Sequence, residues 1–154
     1  MVRSVFTKCF CLFLAFAVMN HPVVHRGVLG DDRDLEPKEH TKDTLETVRE
    51  NIDQKKAVLI DVRDLVEWNA GHIRGAVLLP WRDLQDKLTE EQVKEKLEKQ
   101  TKDKILYTHC AVGYRSLRAA KILKKYGYEV RALKPGYEEL VKAGFESEKE
   151  PPKN

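Results

Sequence analysis

Cysteine is scarce in this sequence. Of three cysteines, Cys9 and Cys11 lie near the N-terminus and Cys110 lies far from both. That set excludes the disulfide framework of a small secreted scaffold, and beyond the first 30 residues one cysteine and histidines without ligand spacing leave no zinc site, so no metal is expected. Long apolar runs are missing too. The most apolar stretch, Cys9–Met19, has 11 residues, short of the roughly 20 that a membrane span needs. Net charge is absent from most of the chain: residues 1–30 hold three basic side chains (Arg3, Lys8, Arg26) and no acidic one, which leaves 25 Lys and Arg against 25 Asp and Glu. A neutral domain with interleaved charge offers no electrostatic footprint for nucleic acid.

What the first 30 residues do have is the pattern of an export signal. Arg3 and Lys8 flank the start of the apolar run, whose length falls in the range of about 7–15 residues typical of a signal-peptide core. Residues 1–30 are therefore read as a signal peptide, with Ala15-Phe16-Ala17 and Val28-Leu29-Gly30 as alternative cleavage contexts and a mature start near Asp31 preferred. An uncleaved short anchor is the competing reading. Export implies a periplasmic or secreted protein with no stable membrane association after cleavage. Cys9 and Cys11 would leave with the leader, and Cys110 would stand alone, unable to pair internally.

Residues 31–40 are charged and carry Pro37, as a linker would, and 149–154 form a lysine- and proline-rich tail that is expected to fray. Between them, 41–148 reads as one domain, the size that a single core supports. Leu45, Val48 and Ile52 recur at helical spacing within 41–55. AVLIDVR (57–63) is a strand covered on both faces, and GAVLLP (75–80) a second, closed by Pro80. Residues 82–100 give one bent helix or two, with Thr89 and Gln92 set as a capping box and Glu90-Glu91 on a solvated face. KILYTHC (104–110) is a third strand, 116–126 a helix, EVRAL (129–133) a fourth strand, Pro135-Gly136 a turn, and 137–145 a last helix ended by Gly144. Strands alternating with helices predict an α/β fold: a mainly parallel central sheet of about four to five strands with helices on both faces. Such sheets bind ligands beyond the carboxyl ends of their strands, where Cys110 lies.

A strand that ends in Cys-x-x-Gly and turns into a helix aims several backbone N–H groups at one point, reinforced by the positive helix end. That point attracts an anion and favours a thiolate, which makes Cys110 a nucleophile candidate. Gly113 supplies the backbone freedom of a tight cradle, and Arg115 a guanidinium suited to an oxyanion.

Two motifs here resemble those of the rhodanese-like sulfurtransferases, over residues of about 41–146. LIDVRDLVEWNAGHIRGAVLLP (59–80) is similar to the family pattern at Asp61, Val62, Arg63, Glu67, Trp68, Gly71, His72, Ile73, Gly75, Ala76 and Pro80. CAVGYR (110–115), followed by Ser116, resembles the family's six-residue reactive loop. With its leader, the chain resembles the small exported bacterial members of the phage-shock-protein E kind. The resemblance implies a double displacement without a cofactor. Cys110 takes the outer sulfur of a donor such as thiosulfate as a persulfide and passes it to cyanide or a thiol. The N–H groups of Ala111, Val112, Gly113, Tyr114, Arg115 and Ser116 would cradle that charge, with Arg115 facing the departing sulfite. Departures cluster late: Pro135-Gly136-Tyr137 stands where members often have Gly-Gly and Trp, and Phe145 follows Ala143-Gly144 where a proline is common.

Other residues have structural readings. Asp61, Arg63 and Glu67 are expected to form one ionic network bracing the loop, and His72 to make hydrogen bonds in the GHI turn. His109 alternates with Cys110 along a strand and so points to the opposite face. Trp68 and Trp81 are core or rim aromatics. Two rival functions remain. One is a cysteine phosphatase or arsenate reductase, because His109-Cys110 through Arg115 is one residue short of the HC-x5-R phosphate loop; the smaller ring of N–H groups favours a sulfur over a tetrahedral phosphate. The other is a sulfur-carrier or binding module with little turnover.

Overall fold

Every residue of AVLID is buried, so this run becomes the central strand. The computed structural model describes residues 39–149; the segment read as a signal peptide, nearly all of the expected linker and the tail beyond Lys149 lie outside the described residues. In chain order the elements are α1 (Leu45–Asp53), β1 (Ala57–Asp61), α2 (Leu65–Ala70), β2 (His72–Ile73), β3 (Val77–Leu78), α3 (Trp81–Asp86), α4 (Glu90–Thr101), β4 (Ile105–His109), α5 (Tyr114–Lys125), β5 (Val130–Ala132), α6 (Tyr137–Lys142) and β6 (Ser147–Glu148). Strands β3-β1-β4-β5 form a parallel sheet, with Ala57 opposite Ile105 and Leu106 opposite Val130.

Side chains alternate across the sheet and sort into two cores. Val58, Ile60, Leu106 and Cys110 face the layer formed by α3, α4 and α5, which contributes Leu84, Val93, Leu97, Ala119, Ala120 and Leu123. Ala57, Leu59 and Tyr107 face the other layer, with Val48 of α1, Leu140 of α6, Ile73 and Phe145. The parallel α/β sheet with helices on both faces is the predicted architecture.

Local boundaries differ from expectation for identifiable reasons. GAVLLP pairs only through Val77 and Leu78. His72 and Ile73 lie in a short strand rather than a turn, antiparallel to Ser147–Glu148 in a separate two-stranded sheet. A pairing two residues long leaves no periodic signal to read. Helix α2 went unpredicted because it spans six residues and exposes Leu65 and Val66. The 82–100 stretch divides in two, and the Thr89 hydroxyl accepts from Gln92 N at 3.4 Å to start α4. Helix α5 begins at Tyr114, two residues early, because Gly113 caps it in a left-handed conformation (φ 85°).

The carboxyl ends of β1, β4 and β5 meet the start of α6, where the chain is tightest. An added Cβ on Gly136 would lie 1.7 Å from the Ala111 carbonyl oxygen. The extended φ of −91° suits any residue, so the requirement for glycine here is one of space. Gly136→Ala should therefore destabilise the fold by about 3 kcal/mol, read as a fall in the urea midpoint. A loss below about 0.5 kcal/mol would mean that the contact relaxes freely.

Candidate active site

Cys110 follows the last residue of β4, and its side chain is wholly buried on the α5 side of the sheet. The Gly113 N–H donates to Cys110 Sγ at 3.1 Å. A backbone N–H directed at sulfur, at the start of a 12-residue helix, places positive potential where a thiolate or persulfide would carry its charge. The loop tip faces solvent: Ala111, Val112 and Tyr114 are exposed, whereas Gly113 and Ser116 are buried.

Several segments fix the loop's backbone. Tyr137 N donates to Cys110 O at 3.0 Å, and Val62 N to His109 O at 3.0 Å. The Ser116 hydroxyl is shared between the carbonyls of Gly113 (2.5 Å) and Leu133 (2.7 Å). Thr108 Oγ1 donates to Ser116 O at 3.0 Å, tying β4 to the first turn of α5. His40, assigned from sequence to the linker, packs onto this loop instead, with Nε2 3.0 Å from Gly113 O. No local sequence signal marks it, because its partner is 73 residues away.

The expected single ionic network is two. Asp61 Oδ1 accepts from Arg63 N (2.9 Å) and Nε (3.0 Å), and Oδ2 from Arg63 Nη2 (2.6 Å). Arg63 Nη2 also donates to Gly71 O, and the guanidinium lies 4.2 Å from the centre of the Tyr137 ring. Glu67 instead pairs bidentately with Arg115, at 2.6 and 2.8 Å, and Asp64 lies 3.6 Å from the same guanidinium. The reason is α2: Glu67 sits in its first turn, accepting from Asp64 N, and reaches across to the first turn of α5. The Arg115 hydrogen bonds pull Glu67 below its usual range against a smaller opposing effect of burial. The same contacts raise Arg115.

His72 stacks on Trp68, with ring centroids 3.6 Å apart, and its Nδ1 is 3.2 Å from Trp68 O and its Nε2 3.3 Å from Glu148. Trp81 is a half-buried rim residue near Arg118, which also covers Tyr114. Of the atypical late residues, Gly136 abuts the loop and Tyr137 lies under Arg63, with its hydroxyl against Gly71. Phe145 closes the second core. Among the described residues, no group of three or more His, Cys, Asp or Glu could hold a metal ion.

His109 faces away from Cys110, fully buried, and neither ring nitrogen has a hydrogen-bond partner. Its Nε2 lies 3.6 Å from Asp61 Oδ2, whose lone pairs are already engaged by Arg63. Burial pushes the imidazole down from 6.5 to about 4, and the neighbouring Asp61 carboxylate only partly offsets it. Between those values the unfolded chain binds the proton and the native one does not, so this group's share of stability is full above about pH 6.5 and is lost as pH falls towards 4. The linkage amounts to about 3 kcal/mol. Urea titrations of the native protein and of His109→Leu at pH 7 and pH 4 should therefore differ by about that much in their pH response. Equal responses would place the proton uptake elsewhere.

Comparison with known proteins places this geometry. The family model described as "Rhodanese-like domain" matches residues 44–143, which include Cys110, its loop and both ion pairs. A Mycobacterium tuberculosis protein named as a probable adenylyltransferase/sulfurtransferase, MoeZ, is 36% identical over 103 residues, or 66% of this chain and 24% of that protein. The tRNA uridine(34) hydroxylase of Staphylococcus carnosus is 31% identical over 121 residues, covering 75% of this chain and 36% of the relative. The chain thus spans about a quarter to a third of these relatives' length. Among solved structures, the human single-domain sulfurtransferase TSTD1 superposes with a TM-score of 0.54 at 27% identity, covering 64% of this chain and 92% of that one. A rhodanese-related protein from Thermoplasma volcanium shares the fold, with a TM-score of 0.54 at 24% identity over 69% of this chain and 95% of that one. With the model covering well over half of the sequence and the reactive loop lying inside the match, the chain belongs to the rhodanese-like domain family.

Proposed function

We propose that this protein is a sulfurtransferase that carries a sulfane sulfur on Cys110 as a persulfide. The observation that carries this reading is the Gly113 N–H 3.1 Å from Cys110 Sγ, in a loop that opens α5. In the first displacement the Cys110 thiolate attacks the outer sulfur of thiosulfate. A sulfur–sulfur bond to Cys110 forms, the donor's own breaks, and sulfite leaves with the bonding pair. In the second, cyanide or a thiolate attacks the outer persulfide sulfur, and the electron pair returns to Cys110 as a thiolate. The steps balance without an outside oxidant or reductant, so the scheme needs no cofactor. Four residues between Cys110 and Arg115 support a small sulfur ligand over a tetrahedral phosphate.

A second reading, a carrier that receives sulfur from a partner and turns over poorly with free thiosulfate, is favoured by one observation. Arg115, the cation of the loop, is neutralised by Glu67 with Asp64 close by, so a dianionic donor meets mainly backbone dipoles. Intact mass after incubation with thiosulfate tests both. The mature protein should gain one sulfur atom that cyanide removes and that Cys110→Ala never acquires. Loading that is slow from thiosulfate but fast from a persulfide-bearing donor selects the carrier. Absence of loading from every donor, or hydrolysis of an aryl phosphate, overturns sulfur transfer.

The same proposal places the mature protein outside the cytoplasm, periplasmic or secreted. Arg3, Lys8 and the 11-residue apolar run support it. N-terminal sequencing of the exported protein should find a start near Asp31, and a retained Met1 would overturn cleavage.

A further inference from the structure

Gly113 belongs to two peptide planes, one on each side of its Cα, and each makes a distinct contact. Its N–H meets the reactive sulfur, while its carbonyl lies among three donors: Ser116 Oγ at 2.5 Å, His40 Nε2 at 3.0 Å and Leu117 N at 3.4 Å. The last is the bond that would begin a regular helix, and at 3.4 Å it is long. The carbonyl is drawn instead towards His40 and Ser116. Because a carbonyl oxygen only accepts, the His40 ring must carry its proton on Nε2.

His40 is delivered to this place by a short anchored strap. Thr41 N donates to Ala132 O at 2.8 Å at the end of β5. Asp43 accepts from the Tyr107 hydroxyl at 2.6 Å and from Arg131 at 2.8 Å, and Thr44 caps α1. The ring then fills the space where a side chain on residue 113 would stand. A Cβ on Gly113 would lie 2.9 Å from His40 Nε2 and 2.7 Å from Lys134 O. Gly113 is left-handed, at φ 85°, a conformation that leaves glycine free to rotate unless its peptide is held from outside.

From this geometry we infer that His40 is a positioning residue for the Cys110 chemistry: its Nε2–H holds the Gly113 carbonyl, which limits rotation of the 113–114 peptide about Gly113 and, through that residue's Cα, steadies the preceding peptide plane whose N–H meets the sulfur. The hydrogen bond is the active element and the ring's bulk is secondary. Ser116 grips the same oxygen from inside the helix, and His40 grips it from the strap, so the Gly113–Tyr114 peptide plane is fixed from two sides. This role rests on the sulfur-transfer reading only for its effect on rate; the effect on the Gly113 amide stands alone.

Three variants separate hydrogen bonding from packing: His40→Ala, His40→Phe, which keeps the ring without a donor, and His40→Gln, which keeps a donor. Two measurements are made on each, with thermal unfolding as the check on folding. The first is the single-turnover rate of persulfide formation from thiosulfate. It should fall three- to tenfold in His40→Ala and His40→Phe, the range that one hydrogen bond supplies, with donor affinity unchanged, and recover in His40→Gln. The second is hydrogen exchange at the Gly113 amide by 15N NMR, which should quicken by a similar factor in the first two variants and not in the third. A His40→Phe protein with native rate and exchange overturns the inference, as does a folded His40→Gln protein no better than His40→Ala. If the native protein takes no sulfur from any donor, sulfur transfer fails while the amide exchange still decides the role of His40.

Discussion

Contact between two stretches of main chain sets the shape of the reactive loop. Gly136 lies against the Ala111 carbonyl so closely that no side chain fits between them, and the next residue, Tyr137, donates its N–H to Cys110 O. Close packing of backbone on backbone fixes position far more tightly than contact between flexible side chains. The start of α6 therefore acts as a wall on which the Cys110–Gly113 turn is formed. Of the two departures from family custom, Pro135-Gly136-Tyr137 forms this wall, where Tyr137 also supports the buried guanidinium of Arg63, and Phe145 lies in the second core.

Charge around the loop is arranged in two separate pairs with different environments. Asp61–Arg63 is buried at the end of β1, and its members satisfy one another and the Gly71 carbonyl. A pair of that kind is rarely a large net source of stability but is damaging to break, because the surviving charge is left without water. Glu67–Arg115 is half-exposed and joins α2 to α5, so it draws the two helix starts together at the mouth of the site. Its energy is screened by solvent, and it neutralises the one guanidinium of the Cys110–Arg115 loop.

The sheet, its parallel order and the cysteine at its carboxyl edge were legible because their signals are local. A buried strand is a run of apolar residues, and Gly113 between β4 and α5 is a turn that one glycine announces. Cys110 stood out for the same reason. What the sequence concealed was relational. Glu67 could pair with Arg63 or Arg115 on composition alone, and only its place in the first turn of the six-residue α2, itself too short to show a period, decides between them. The β2–β6 ladder joins residues more than 70 positions apart in the chain through two pairs. His40 carried no sign of its place, sitting in a charged stretch that reads as a linker. His109 was assigned its face correctly by alternation, but its lack of any hydrogen-bond partner is a property of its neighbours and not of the strand.

The loop draws its restraints from residues far apart in the chain: His40, Val62, Ser116, Leu133 and Tyr137 all hold it. The His40 and Tyr137 contacts do not exist in a partly formed domain that lacks its ends. A chain with β1 and β4 paired but α6 undocked would keep the Val62–His109 bond and lose the one from Tyr137 to Cys110 O. The loop has its full set of restraints only when both ends of the domain are in place, and an incompletely folded copy lacks part of them.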